Sequence, residues 1–205
     1  MSNDSLLEIE AKFNVPTVEP FREQLLALGA TLGQKRVFER NLLLDTPDQR
    51  LRQAEQVLRL RQDNAVRLTF KGKPIYHSEM KVREEVEMEV GDWETAVILF
   101  DRLGYQPQLV YEKHRETYHL GTAEVVLDEL PYGDFIEIEG DEAEIKRVAA
   151  EMGLDINGRL SHNYLELMFK LKQHHNLAFN DLTFANFADL NIAITDILDE
   201  STSGE

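Results

Sequence analysis

Strict two-residue alternation of apolar and charged positions runs through most of this chain. In Glu8-Ile9-Glu10-Ala11-Lys12-Phe13 the charged side chains fall on one face of an extended segment and Ile9, Ala11 and Phe13 on the other. The period recurs from Arg36 to Asp45, where Phe38, Arg40, Leu42 and Leu44 alternate with Glu39, Asn41 and Leu43. It recurs again in Val57 to Arg61, Ala65 to Lys71, Glu79 to Val90, Leu109 to His119, Ala123 to Glu129 and Phe135 to Glu139. These eight segments predict eight strands, with a hairpin at Asp63-Asn64 and a loop at Tyr76 and His77 after the Gly72-Lys73-Pro74 break. Helical spacing of Phe21, Leu25 and Leu28, opened by Pro16-Thr17 and closed by Gly29, predicts a helix after the first strand. Asp92 and Gly104 bracket a second helix, Asp141 and Gly153 a third, and Ser161 to His174 read as the last.

Charges fill one face of most strands, and closure of the sheet explains them. The predicted class is α+β: a closed eight-stranded antiparallel β-barrel whose polar faces line a wet tunnel and whose apolar faces carry helices. Acids would gather there at Glu8, Glu10, Glu85, Glu87, Asp128, Glu137 and Glu139, and bases at Lys12, Arg40, Arg59, Arg61, Lys71, Arg83, Lys113 and Arg115. Such a lining suits a polyanion held by arginine forks and a divalent cation held by carboxylates. The competing reading is a buried network in which acids and bases only neutralise one another, and for a single such strand an exposed edge.

Composition narrows the picture. The chain has 205 residues, 42% hydrophobic and 29% charged, enough for one globular domain with a tail. It lacks cysteine, so a metal would sit on oxygen or imidazole, which favours Mg2+ or Mn2+. A net charge of -16 argues against nucleic acid as a partner. No apolar stretch approaches membrane-spanning length and no basic-then-apolar leader opens the chain, so the expectation is a cytoplasmic protein without a membrane partner.

An ordered set of motifs resembles the CYTH superfamily, the triphosphate tunnel metalloenzymes, which include class IV adenylate cyclases, thiamine triphosphatases and inorganic tripolyphosphatases. The carrying residues are Glu8-x-Glu10-x-Lys12, Leu58-Arg59-Leu60-Arg61, Leu68-Thr69-Phe70-Lys71-Gly72, Arg83-Glu84-Glu85-Val86-Glu87, Lys113-His114-Arg115 and Phe135-Ile136-Glu137-Ile138-Glu139. They span about residues 6 to 170. The resemblance implies metal ligation by Glu8, Glu10 and Glu139, with Glu137 and Asp128 as supporting acids. It implies phosphate contacts from Lys12, Arg40, Arg59, Arg61, Lys71, Lys113 and Arg115, with Arg83, Glu85 and Glu87 in a segment of less defined role. The catalytic set it implies is Glu8, Glu10, Lys12 and Glu139. Two departures concern the Ser-Tyr pair before the last helix, stretched here to Ser161-His162-Asn163-Tyr164, and the compact loop Leu130-Pro131-Tyr132-Gly133-Asp134.

The tunnel domain is expected to cover residues 1-175, and residues 176-205 to form a C-terminal extension. Phe179, Leu182, Phe184, Phe187 and Leu190 in it are irregularly spaced, which suits a strap on the barrel or a partner contact, and Asp199 to Glu205 read as disordered. His174-His175 read as cations complementing a helix C-terminus. Three functions compete. The first is metal-dependent hydrolysis of the terminal phosphate of a triphosphate, with Lys12 either orienting the water or paired with Glu10. The second is an adenylate cyclase making cyclic AMP and pyrophosphate, and the third a non-catalytic sensor. The expected partner is tripolyphosphate, ATP or thiamine triphosphate, and a homodimer is compatible with each reading.

Overall fold

The computed structural model describes residues 7–77, 80–160, 162 and 164–198. Glu79, Ser161, Asn163 and the segment from Asp199 to Glu205 lie outside the described residues. The strands are β1 (Leu7–Val15), β2 (Thr31–Asp45), β3 (Val57–Gln62), β4 (Val66–Lys71), β5 (Ile75–His77), β6 (Met80–Val90), β7 (Gln106–Leu120), β8 (Ala123–Leu130) and β9 (Gly133–Glu139). They pair in the order β1-β9-β8-β7-β2-β3-β4-β6, and β6 pairs back with β1, so an eight-stranded antiparallel sheet closes in a ring. β5 lies outside the ring and occupies the predicted loop at Tyr76 and His77. β4 pairs β6 only from Glu85 to Val90, and the edge left free at Met80–Val82 accepts Ile75–His77. β2 begins at Thr31, earlier than its alternation predicts, because register shifts between Leu32 and Gln34 and between Gln34 and Val37 break the two-residue phase.

Four longer helices, α1 (Glu19–Ala27), α3 (Trp93–Arg102), α4 (Glu142–Glu151) and α5 (Tyr164–His175), accompany three single-turn ones, α2 (Arg50–Gln53), α6 (Phe184–Phe187) and α7 (Thr195–Leu198). Asp92 and Asp141 cap α3 and α4 as their sequences predict, accepting hydrogen bonds from the backbone of Thr95 and Glu144 at 2.8 Å. α1 starts later than predicted and is anchored at a distance: the Val18 N–H donates to Asp134 Oδ2 at 3.0 Å. Leu28 is consequently the exposed C-cap, and Leu25 alone of that helix is fully buried. Among the described residues no helix is long and apolar enough to cross a membrane.

The apolar faces of the strands point outward into two cores. Phe13, Val125, Leu127, Ile136 and Ile138 pack with Leu25 of α1 and Ile145 and Val148 of α4. Leu42, Leu44, Leu58 and Leu60 pack with Trp93 and Ala96 of α3. A third core stops one end of the barrel, where Tyr164, Leu167, Met168 and Leu171 of α5 meet Leu109, Leu130, Tyr132 and Phe135.

The tail after α5 belongs to this third core. β8 pairs β7 only from His114 onward, which leaves an open edge below it. Leu182 fills that edge as a parallel bridge to Tyr111, its N–H donating to Val110 at 2.8 Å and its carbonyl accepting from Glu112 at 2.9 Å. Further along, the Ile194 N–H donates to the Tyr132 carbonyl at 2.7 Å. The tail is thus a strap on its own barrel. His174 and His175 fall in the last turn of α5, and His175 also lies 2.9 Å from Asp196 of α7.

Candidate active site

Strand register assigns the lining. Lys12 stands opposite Glu137, Glu10 opposite Glu139, Glu8 opposite Arg83, Arg59 opposite Thr69 and Lys71 opposite Glu85, so the charged positions of neighbouring strands meet inside the ring. Glu8, Glu10 and Glu139 come together: one carboxylate oxygen from each lies within 4.8 Å of the others. Burial, followed by the Glu8 and Glu137 charges, pushes the Glu139 carboxyl up to about 8. Burial and a hydrogen bond with Glu85 also raise Glu8, against the pull of Lys71, whose Nζ is 2.9 Å away. An all-oxygen donor set whose members repel one another's charge fits a hard divalent cation, and Glu8, Glu10 and Glu139 are the residues that would hold it.

Asp128 and Glu137, expected to support the metal, are committed elsewhere. Asp128 accepts from Lys113 at 2.9 Å, from Arg115 at 2.8 and 2.6 Å, and from the Tyr164 hydroxyl at 2.9 Å. Glu137 accepts from Arg115 at 2.6 Å and pairs with Lys12 at 2.8 Å. This pairing has a physical reason: buried Lys12 and Lys113 and half-buried Arg115 surround the two acids and satisfy their oxygens directly. Lys12 accordingly pairs with Glu137, and its ammonium sits 3.8 Å from the centre of the Tyr164 ring.

The basic wall is different. Arg59 reaches Thr69 at 3.2 Å and the Tyr111 hydroxyl at 3.5 Å, yet its buried Nε has no hydrogen-bond partner, and neither has the Nε of Arg61. Burial and then the neighbouring Arg59 charge lower the Arg61 guanidinium's hold on its proton. Between them and Lys113 stands Glu39, whose Oε2 is also unpartnered. Burial disfavours its charge, but Lys113, Arg61, Arg115 and Arg59 together hold it well below the usual carboxylate range. Asn41 donates to Glu39 at 3.0 Å and leaves its own Oδ1 unpartnered.

One predicted substrate contact sits outside the ring and another lies near its end. Arg40 is on the outer face, 5.3 Å over the Trp93 ring, because it shares phase with Leu42 and Leu44 and not with Glu39 and Asn41. Arg83 lies at the stopped end, donating to the backbone carbonyls of Gly72 at 2.5 Å and Glu55 at 3.0 Å. Glu39, Asn41, Thr69 and Tyr111 were missed as lining residues. The alternation that placed Glu39 and Asn41 opposite Leu42 and Leu44 was the available signal.

A closed antiparallel sheet lined by a carboxylate trio and by two arginines whose Nε groups make no hydrogen bond defines a charged-tunnel protein. The chain belongs to the CYTH domain family, whose model matches residues 6–177. That family is divalent-metal dependent and comprises enzymes of adenylate cyclase and triphosphatase type. A protein of Methanocaldococcus jannaschii provisionally named an adenylate cyclase is 29% identical over 136 residues, covering 65% of this chain and 77% of its own. The crystal structure of a Vibrio parahaemolyticus protein with the same provisional name superposes with a TM-score of 0.69 at 20% identity, covering 80% of this chain and 98% of that one. A Hippeastrum protein, described as an adenylyl cyclase that reveals a dominant triphosphatase activity, superposes at 0.56 with 20% identity, over 72% and 88% of the two chains.

Proposed function

We propose that this protein is a divalent-metal-dependent phosphohydrolase that binds a triphosphate along its basic wall and releases the terminal phosphate. One observation carries the reading: buried Arg59 and half-buried Arg61, two residues apart on β3, carry Nε groups that make no hydrogen bond in the fold, the Arg61 Nε lying 3.4 Å from Glu39 in an ion pair. Such groups cost stability until an anion accepts from them, and phosphate oxygens match guanidinium forks. Arg59, Arg61 and Lys71 would line the bound phosphates, with Asn41 and Thr69 beside them. A divalent cation held by Glu8, Glu10 and Glu139 would neutralise phosphoryl charge and polarise the reacting phosphate. Lys12, Lys113 and Arg115, already paired with Glu137 and Asp128, contribute fixed positive potential and hold the tunnel's shape. Tyr164 and α5 pack across one end of the barrel.

A second reading, cyclisation of ATP with release of pyrophosphate, draws support from the name of the M. jannaschii relative. Purified protein incubated with MgCl2 or MnCl2 and either ATP or tripolyphosphate separates the two when cyclic AMP, pyrophosphate and orthophosphate are resolved by chromatography. Orthophosphate without cyclic AMP is the expected result. Cyclic AMP with matching pyrophosphate would replace hydrolysis by cyclisation, and no product from either substrate would leave a triphosphate sensor.

A further inference from the structure

The three cores cover the outer surface of the ring unevenly, and the middle of β6 is left bare. Its outward positions are Val82, Glu84, Val86, Met88 and Val90, alternating with the inward Arg83, Glu85, Glu87 and Glu89. Val90 joins the core under α3, but Val82, Val86 and Met88 belong to none of the three. Val86 is 45% exposed and Met88 59%, and Ile75 of β5, opposite Val82, is 59% exposed. Register makes these positions one surface. Ile9, Val82 and Ile75 stand side by side across β1, β6 and β5, while Phe70 and Leu68 of β4 stand opposite Val86 and Met88. Phe70 and Leu68 pack against the α3 core, so the edge of that core runs out into solvent across β6.

The bare face is large enough to be the centre of an interface. At ~3.3 Å per residue and ~4.8 Å between strands, from Val82 to Val90 it measures roughly 26 by 10 to 14 Å, about 300 Å2, where scattered single apolar residues would be ordinary. A stable interface takes about 800 Å2 from each partner around such an apolar centre. α3 extends it. Turning ~100° per residue away from its buried Trp93 and Ala96, this helix carries Ile98 on one flank and Leu99 and Leu103 on the other, all more than half exposed. Both flanks are therefore apolar, including the one beside β6.

We infer that the protein is an isologous homodimer in which the β6 face and α3 of one copy pack on the same surfaces of a second copy. A net charge of -16 sets two copies against each other wherever their acids face outward. Glu84 is the single charge among the outward positions of β6, so a like-charged second copy meets least repulsion here. A flat apolar face with one charge offers little to select a different protein, whereas across a two-fold axis it meets its own match.

Sedimentation velocity of the full chain from about 1 to 100 μM tests the assignment. The wild type is expected to sediment with twice the mass of one chain at the upper concentrations, with a dissociation constant of about 10 μM or tighter. Met88→Glu and Val86→Glu place a charge on the bare face at exposed positions, and each is expected to raise that constant at least about tenfold. Leu26→Glu makes the same change at a 58% exposed position of α1 and is expected to shift it less than about twofold. A wild type monomeric at every concentration would overturn the inference and leave the face to a different partner. A dimer indifferent to both β6 variants, or weakened equally by Leu26→Glu, would overturn it as well. The tunnel reading fails separately: a dimer without turnover of any triphosphate keeps the interface, and turnover by a monomer keeps the tunnel.

Discussion

Replacing Glu139 by glutamine removes one charge from the trio and keeps its shape. In the fold this carboxyl is raised from 4.5 to about 8 by burial and by the neighbouring Glu8 and Glu137 charges. A raised acid binds its proton more tightly folded than unfolded, so the metal-free fold loses stability as pH climbs from about 4.5 through about 8. At about 1.36 kcal/mol per pH unit the whole rise bounds the loss at about 5 kcal/mol. Tunnel water and added salt screen the charge, and about 1–2 kcal/mol is the expected effect. Urea unfolding in EDTA should therefore show Glu139→Gln more stable than wild type by that amount at pH 8.5 and equal to it at pH 5. With 10-fold excess of MgCl2 over its dissociation constant, wild type should gain about 1.4 kcal/mol and the variant only a fraction of that. A variant less stable than wild type in EDTA at pH 8.5, or one that gains equally from Mg2+, would refute the assignment of the trio as a repelling cluster relieved by a cation.

Glu10→Gln should abolish product formation while the circular dichroism spectrum and urea midpoint in EDTA stay close to wild type. Arg59→Ala should raise KM for a triphosphate by about 10–100-fold through the loss of charge-assisted hydrogen bonds, measured by initial rates. Arg40→Ala, which removes only a cation lying over Trp93, should change KM less than twofold by the same assay. Leu182→Ala empties a fully buried position of the strap itself and should cost about 2–5 kcal/mol in urea unfolding, with loss of protection of the Glu112 amide in hydrogen exchange.

Alternation carried the fold because a closed ring makes the inner and outer faces chemically unlike. From Glu8 to Lys12 in β1, Leu58 to Arg61 in β3 and Ile136 to Glu139 in β9, charged and aliphatic residues alternate, and the structure keeps that division. Arg40 shows where residue type overruled phase: it belongs with Leu42 and Leu44 by position, and only its charge suggested the tunnel. Asp128 and Glu137 show a different limit. One strand states that an acid faces inward, but whether it meets a cation or another acid depends on the strand across the ring. Glu137 lies opposite Lys12 and Glu139 opposite Glu10 by a register that no single segment contains. The strap was legible only as apolar excess, since its anchor at Leu182 exists because β8 stops short of the lower half of β7.

The two ways in which the tunnel treats its charges point to a division of labour. Around Tyr164, three cations and two acids engage one another at 2.6 to 2.9 Å, an arrangement whose desolvation is offset by its own bonds. Around Arg59, Arg61, Glu39 and Asn41, one buried polar atom of each residue makes no hydrogen bond, and three carboxylates face one another at Glu8, Glu10 and Glu139. A protein selected for stability alone would have replaced that second region with paired or aliphatic residues, because each unpartnered buried group costs about 1–3 kcal/mol. The satisfied half holds the lining rigid, so the unsatisfied half meets its ligand already aligned. This arrangement accounts for a folding penalty kept in one part of a tunnel whose remaining polar groups are well paired.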